Sequence, residues 1–196
     1  MIEVLLIDCH PDDWKDRLVH YLRVLNAAGR VSATVDHRSV NAGFPVPSVQ
    51  AAVITGSPMM LAEELPRAGL CEFVQSLTCP ILGICFGHQL LGLLSGSKVY
   101  RGEKIEGIRT VRAIGSDPLL SGLDGEVDFL ESHQEFLKKE EVEASGWEVL
   151  AASDSCPVEA MRHRTKPWYG VQFHPEQSNQ TGEKLVSNFV RLVGRV

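Results

Sequence analysis

The chain has 196 residues, of which 44% are hydrophobic and 22% charged, ordinary values for a globular protein with one α/β domain. Its formal net charge of −6 argues against nucleic acid as a main partner, because phosphate binding needs a basic surface. The five cysteines are an odd number and include no C-x-x-C pair. They therefore predict a reducing compartment rather than a disulfide framework or a zinc site.

The first residues and the apolar runs set further expectations about location. The N-terminal segment carries no basic region, and the apolar run Val4–Ile7 is too short for a signal peptide. No apolar segment approaches the ~20 residues that a membrane-spanning helix requires. We therefore expect a cytoplasmic protein without a membrane partner.

The first half of the chain alternates between strand and helix patterns. Short apolar runs predict buried strands, and apolar residues at helical spacing predict helices. The predicted strands are Val4–Ile7, Val31–Asp36, Ala51–Thr55 and Pro80–Ile84, and the predicted helices are Pro11 to Gly29, Glu63–Leu77 and His88–Ser95. This alternation predicts an α/β fold with a mostly parallel central sheet and helices on both faces.

The second half of the chain has a different pattern, in which short strands follow one another through turns. The predicted strands are Val99–Tyr100, Arg109–Ile114, Val127–Leu130, Glu148–Ala152, Glu159–His163 and Tyr169–Phe173. Thr181 is expected to cap a last helix, whose inner face would hold Leu185, Val186, Phe189, Val190 and Val193. Because no repeat, low-complexity tract or linker interrupts the pattern, residues 1–196 are predicted to form a single domain.

The stretch Gly83-Ile84-Cys85-Phe86-Gly87 has the G-x-C-x-G spacing of a nucleophile elbow, with cysteine in the place of serine. A strand that turns sharply into a helix brings the residues two before and two after the turn into near contact, so both must be small. The central side chain takes a strained conformation at a helix N-terminus, where partial positive charge favours a thiolate. A buried cysteine in an ordinary turn is the alternative, and the flanking strand and helix favour the elbow.

A cysteine nucleophile needs a base, usually histidine, and a group that orients the base. Among the seven histidines, His133 and His174 are the candidates. His174 is favoured because it ends a strand-like run and because Glu176 follows two residues later, on the same side of an extended chain. An exposed histidine and glutamate at a strand end is the alternative for this pair.

Together these motifs resemble those of the class I glutamine amidotransferases, a family with a Cys-His-Glu triad. Residues 83–89, GICFGHQ, are similar to the family's nucleophile motif, and residues 170–176, GVQFHPE, are similar to its second triad motif. The resemblance covers nearly the whole chain and implies the family's flavodoxin-like fold. Within the family, residues 156–172 most resemble the separate-chain amidotransferase subunits that supply ammonia for GMP synthesis.

The resemblance implies a mechanism. Cys85 would attack the side-chain amide carbon of L-glutamine, His174 would take and return protons, and Glu176 would hold the tautomer of His174. Ammonia would leave first, and water would then cleave the γ-glutamyl thioester to release glutamate. Neither a metal nor an organic cofactor is needed for this half-reaction.

The resemblance also implies supporting groups around the triad. The backbone N–H groups of Gly56, in the loop Thr55-Gly56-Ser57-Pro58, and of Phe86 would form the oxyanion hole. Gln89 and the segment Ser132-His133 would help to hold the substrate glutamine.

Ammonia made by a solitary domain would be lost to water, so an acceptor site is expected nearby. The chain contains no G-x-x-x-x-G-K-[ST] loop and no Ser-Gly-Gly pyrophosphatase loop. A separate ATP-dependent synthetase subunit is therefore implied as a partner.

Other functions stay open at this point. A γ-glutamyl hydrolase would use the same triad on peptides or conjugates, and an amidotransferase of another pathway would pass its ammonia to a different acceptor. A non-catalytic regulatory or binding protein on the same scaffold is the alternative from another class. Such proteins commonly lack a triad member, whereas all three triad residues are present here.

Overall fold

The computed structural model of the chain describes residues 1–194, and its nine strands form one mixed sheet in the order β2-β1-β3-β4-β9-β8-β7-β5-β6. The strands are β1 (Glu3–Asp8), β2 (Arg30–Asp36), β3 (Ala51–Ile54), β4 (Ile81–Ile84), β5 (Val99–Ala113), β6 (Glu126–Leu137), β7 (Trp147–Ala152), β8 (Ala160–His163) and β9 (Trp168–Val171). The α-helices are α1 (Leu18–Ala28), α2 (Ala68–Ser76), α3 (Phe86–Leu94), α4 (Lys139–Ala144) and α5 (Asn179–Val193).

The sheet has a parallel half and an antiparallel half. Strands β2, β1, β3, β4 and β9 run parallel to one another, whereas β8, β7, β5 and β6 continue the sheet from β9 through antiparallel pairs. The predicted fold class is therefore confirmed, including the antiparallel strands of the second half. The strands of the parallel half bring the loops that follow them together at the carboxyl edge, where open α/β sheets bind ligands.

The core consists of two apolar layers, one on each face of the sheet. Alternate residues of β1 belong to different layers: Val4 and Leu6 pack with α1 and α5, whereas Leu5 and Ile7 pack with α2 and α3. Burial of both faces explains why β1, β3 and β4 have nearly uninterrupted apolar sequences. The predicted inner face of the last helix is also correct, since all five of its predicted apolar residues are buried.

Several predicted elements have different bounds in the structure. The helix predicted over Glu63–Leu77 begins only at Ala68, because Pro66 disfavours a helical conformation in the residue before it and lacks an N–H donor. The last helix begins at Asn179, so Thr181 lies inside its first turn and does not cap it. The strands predicted over residues 99–100, 109–114 and 127–130 belong to one long hairpin, β5–β6.

The helix predicted from Pro11 to Gly29 is divided into a 3₁₀ turn at Asp12–Arg17 and α1 at Leu18–Ala28. The sequence pattern did not predict the short helix α4, between β6 and β7, or the 3₁₀ turns at Pro118–Leu120 and Pro175–Gln177. Within the described part of the chain, no helix combines the length and the apolar character needed to cross a membrane.

Candidate active site

Cys85 lies at a sharp turn between β4 and α3. Its backbone has φ 51° and ψ −102°, a conformation that non-glycine residues rarely adopt. A Cβ added to Gly83 would lie 2.4 Å from the carbonyl carbon and oxygen of Gly87, and one added to Gly87 would lie 2.7 Å from the oxygen of Ile54. The structure thus has the strained turn and the two close approaches that the G-x-C-x-G spacing predicts.

His174 and Glu176 form a buried hydrogen-bonded pair. The Nδ1 atom of His174 lies 2.7 Å from Oε1 of Glu176, and their exposed fractions are 8% and 0%. The sequence predicted this contact from an extended chain, in which residues 174 and 176 point to the same side. In the structure, Glu176 instead lies in the 3₁₀ turn that follows β9. That turn is fixed because the backbone of His174 donates to Leu130 O at 2.8 Å and accepts from Ser178 Oγ at 2.7 Å.

Cys85 and His174 line the same cavity, which has a volume of about 560 Å³ and also contains Glu176. Gly56 lies between the nucleophile and the base: a Cβ added there would be 3.2 Å from His174 Cε1 and 3.7 Å from Cys85 Cβ. The sulfur is also approached by Gln172, whose Nε2 donates to it at 3.7 Å. The structure therefore brings all three predicted triad residues to one edge of the sheet.

The electrostatics of the cavity favour a charged imidazole. Burial alone would disfavour the imidazolium, but the Glu176 carboxylate and the Cys85 sulfur outweigh burial and raise the pKa of His174 well above its ordinary value. Burial likewise opposes the charged form of Glu176, and the neighbouring His174 nevertheless lowers the pKa of that carboxyl. The arrangement is suited to a thiolate–imidazolium pair held by a carboxylate.

The two predicted oxyanion-hole amides differ in their hydrogen bonding. Phe86 is the first residue of α3, so its N–H has no acceptor within the helix and remains available. The N–H of Gly56, in contrast, donates to the Tyr21 hydroxyl at 3.0 Å. This hydrogen bond is at odds with the predicted role of Gly56, because an amide occupied by Tyr21 cannot also bind an oxyanion. Among residues 1–194, no acceptor is found for the next amide, that of Ser57.

The predicted substrate-binding residues line a smaller cavity of about 180 Å³, to which Cys85 also contributes. The Nε2 group of Gln89 is already used, since it donates to Glu135 O at 2.9 Å and to Gln172 Oε1 at 3.0 Å. Ser132 presents its carbonyl oxygen 3.9 Å from the Cys85 sulfur. His133 is buried, with Nδ1 2.9 Å from Glu135 O, so its ring is held by the backbone beside this cavity.

Two buried glutamates next to the cavity were not found from the sequence. Glu131 on β6 and Glu159 before β8 are both fully buried, and His133 Nε2 lies 3.0 Å from Glu131 Oε2. Burial raises the pKa of Glu131 to about 7 and that of Glu159 to about 9, the latter also through repulsion by Glu131. Because two buried carboxylates repel each other, the pair favours a proton on one of them.

Tyr21 and Glu135 are further site residues that sequence reasoning missed. Tyr21 occupies a position on the apolar face of α1, and nothing in that pattern marks its hydroxyl as part of the cavity. Glu135 also lines the smaller cavity. Its position two residues after His133, on the same side of a strand, is the local sequence signal that could have indicated this. Within residues 1–194, no three His, Cys, Asp or Glu side chains form a group that could hold a metal ion.

The fold and site together define a class of protein with a cysteine on a strand–helix elbow and a histidine–carboxylate pair beside it. The profile of the "Glutamine amidotransferase class-I" family matches residues 5–193. The chain belongs to the class I glutamine amidotransferases, which are glutamine-hydrolysing enzymes.

Similar proteins agree with this assignment. The chain is 39% identical over 150 residues to the A subunit of the glutamine-hydrolysing GMP synthase of Methanosarcina acetivorans, and the match covers 73% of each sequence. It is 37% identical over 150 residues to the corresponding protein of Pyrococcus abyssi, covering 74% of this chain and 76% of the relative.

Solved structures show the same fold. A crystal structure of a candidate GMP synthase A-subunit protein from Thermoplasma acidophilum superposes with a TM-score of 0.85 at 25% identity, covering 100% of this chain and 95% of the other. The glutaminase domain of Trypanosoma brucei CTPS, with bound acivicin, superposes with a TM-score of 0.76 at 14% identity, covering 100% and 94%. At this identity the second likeness concerns the fold alone.

Proposed function

We propose that the chain is a single amidotransferase domain, residues 1–196, that hydrolyses L-glutamine through a Cys85–His174–Glu176 triad. The observation that carries this proposal is the buried 2.7 Å bond between His174 and Glu176, which lies in the same cavity as the Cys85 sulfur. A thiolate beside an oriented imidazolium can attack a carboxamide and then protonate the leaving nitrogen.

The reaction proceeds in two halves. The Cys85 thiolate forms a bond to the amide carbon of glutamine, and the tetrahedral adduct expels ammonia as His174 delivers a proton to the nitrogen. His174 then removes a proton from water, whose oxygen attacks the thioester carbon. Collapse of the second adduct releases glutamate and restores the thiolate.

The oxyanion formed in each half needs backbone donors. Phe86 N–H is one, because it points out of the first turn of α3 without an acceptor of its own. From the loop, Ser57 N–H is the better-supported second donor, since Ser57 lines the cavity with Cys85 and Gly56 N–H is occupied by Tyr21. Such a donor typically contributes about 3–4 kcal/mol to transition-state stabilisation.

We also infer that a separate ATP-dependent synthetase subunit receives the ammonia and that the pathway is GMP synthesis. The support comes from relatives at 37–39% identity, which are the A subunits of GMP synthases. We infer a cytoplasmic location from the same biosynthetic role.

Substitution of the nucleophile tests the proposed hydrolysis. Cys85→Ala should abolish glutamate release from glutamine, whereas Cys79→Ala, a matched change at a half-buried cysteine that does not line the cavity, should retain it. Circular dichroism would check that both variants are folded. Normal glutamine turnover by Cys85→Ala would overturn the assignment.

A second experiment tests the partner. The purified chain should hydrolyse glutamine more rapidly when the GMP synthase subunit that binds ATP and the nucleotide acceptor, from the same organism, is added with its substrates. An unchanged rate of glutamate release at saturating partner would contradict the proposed coupling.

A further inference from the structure

Tyr21 lines the catalytic cavity, although it is a buried residue of the core helix α1. Its side chain is only 2% exposed, and its hydroxyl accepts the Gly56 N–H at 3.0 Å. A Cβ added to Gly56 would be 3.2 Å both from that hydroxyl and from His174 Cε1. The phenol and the imidazole therefore hold Gly56 between them.

Tyr21 and Glu176 line the same cavity. The Oε2 atom of Glu176 is buried and has no hydrogen-bond partner among the described residues, while Oε1 binds His174. A hydroxyl has one proton to donate and lone pairs to accept with, so Tyr21 can donate to Glu176 while it accepts from Gly56. Burial and the Glu176 charge raise the pKa of Tyr21 well above its ordinary value, so the phenol keeps this proton.

The ring of Tyr21 is held rigidly in place. Its neighbours Val24 and Leu25 on α1 are buried in the core layer, and the His10 ring meets the Tyr21 ring edge-on at a centroid distance of 5.6 Å. A hydroxyl on a fixed ring defines where the Gly56 amide must lie. The loop that follows β3 therefore receives its orientation from a residue on α1.

We propose that Tyr21 is a positioning residue that fixes the Thr55–Gly56 peptide through the Gly56 N–H and thereby sets the course of the loop, so that the following Ser57 N–H serves the oxyanion at Cys85. The inference rests on the proposed glutamine hydrolysis. Tyr21 itself does not touch the substrate; it acts through the loop. Without the Tyr21 hydroxyl, the buried Gly56 N–H has no acceptor, and the loop at Gly56 keeps only the bond from Thr55 Oγ1 to the Gly56 carbonyl at 2.9 Å.

The test compares Tyr21→Phe with wild type in two reactions. Glutamine hydrolysis needs the oxyanion donors, and kcat should fall about 10- to 100-fold, while KM for glutamine should change less than about threefold. Alkylation of Cys85 by iodoacetamide, followed by mass spectrometry, needs the thiolate but no oxyanion donor. Because the His174–Glu176 bond uses a different carboxylate oxygen, the alkylation rate should stay within about twofold of wild type.

Tyr169→Phe is the matched control, since it removes a phenol hydroxyl from half-buried Tyr169 on β9, outside the cavity, and should leave both reactions unchanged. Unchanged kcat in Tyr21→Phe would overturn the positioning role, as would a parallel fall in hydrolysis and alkylation, which indicates general damage. Failure of the proposed function would give a different result, namely glutamate release by Cys85→Ala.

Discussion

The Cα atom of Gly83 faces the Gly87 peptide so closely that a Cβ at Gly83 would lie 2.4 Å from the carbonyl carbon and oxygen of Gly87. The contact joins the end of β4 to the first turn of α3. It is the reason why the chain can place Cys85 at φ 51°, with its sulfur in the cavity.

The contact predicts that Gly83→Ala is severely destabilising. The new methyl group would meet backbone atoms that cannot rotate away, so the elbow must open, at a cost of about 3 kcal/mol or more. Chemical denaturation would measure the loss in unfolding free energy. Gly43→Ala is the control, because the added Cβ would meet only the Asn41 side chain, at 3.4 Å. Equal stability of the two variants would contradict this interpretation of the elbow.

The Glu176 carboxylate is predicted to set the alkaline limit of activity. The active thiolate–imidazolium pair is lost as pH rises through the pKa of His174, which Glu176 helps to raise. Glu176→Gln removes the charge, so the alkaline limb of kcat/KM should move to lower pH. The amide also holds the imidazole less well, and kcat should fall by about 10²- to 10⁴-fold.

The pH profile of kcat/KM for glutamine would measure both effects. The matched control is Glu183→Gln, the same substitution at an exposed position of α5, where the carboxylate pairs with Arg23. An alkaline limb that stays in place in Glu176→Gln would show that the carboxylate does not tune His174.

Glu135 is predicted to hold the segment that closes the smaller cavity. Its carboxylate is 2% exposed and accepts the backbone N–H groups of Leu61 at 2.8 Å and Ala62 at 2.7 Å. Glu135→Ala leaves both amides without this acceptor, which costs roughly 1–3 kcal/mol at the buried Leu61 N–H and less at Ala62, an exposed residue whose N–H water can reach. Because the preceding residues Met59 and Met60 line the cavity, KM for glutamine should rise more than kcat falls.

Steady-state kinetics would separate these effects. Glu63→Ala is the control, since the Glu63 carboxylate is half-exposed and pairs with Arg101 on the surface. A KM for Glu135→Ala equal to that of wild type would exclude a role for these amides in substrate binding.

The parallel half of the fold was predictable because its inner strands β1, β3 and β4 are buried on both faces and therefore have continuous apolar sequences. The β5–β6 hairpin was predicted only in pieces, because most residues of β5 are exposed or half-buried and the charged stretch around residues 101–106 has the pattern of a loop. Register and hairpin length depend on pairing between distant residues, which the local pattern does not record.

In the candidate site, too, the features with a local sequence pattern were predictable and those that depend on distant residues were not. The elbow has a fixed spacing, so Cys85 and its glycines could be found from the sequence. The hydroxyl of Tyr21 could not, because a tyrosine on an apolar helix face has the same pattern whether or not its oxygen reaches another loop. Glu131 and Glu159 were missed because charged residues in strands usually face solvent, and only the packing of the folded sheet buries them together.

The Glu131–Glu159 pair predicts that the protein loses stability as pH rises. Both carboxyls have a folded-state pKa above the ordinary 4.5, about 7 for Glu131 and about 9 for Glu159. Protonation therefore favours the folded state: the stabilisation is complete below about pH 4.5 and is lost as pH rises through 7 and 9. The titratable and charged groups around Glu131 are Glu159, His133, His174 and Arg109, and the attraction of His174 and Arg109 does not offset the cost of burying the Glu131 charge.

Glu159→Gln would isolate this contribution, because an amide stays neutral and can still donate a hydrogen bond to Glu131. The unfolding free energy of wild type should fall relative to the variant by on the order of 3 kcal/mol between pH 5 and pH 9. Glu148→Gln, at an exposed position of β7, should follow the wild-type profile. Urea denaturation at several pH values would measure the three curves. The wild-type and Glu159→Gln curves should diverge as pH rises, because only the wild type loses the proton of Glu159. Parallel curves would mean that the buried pair holds no such proton.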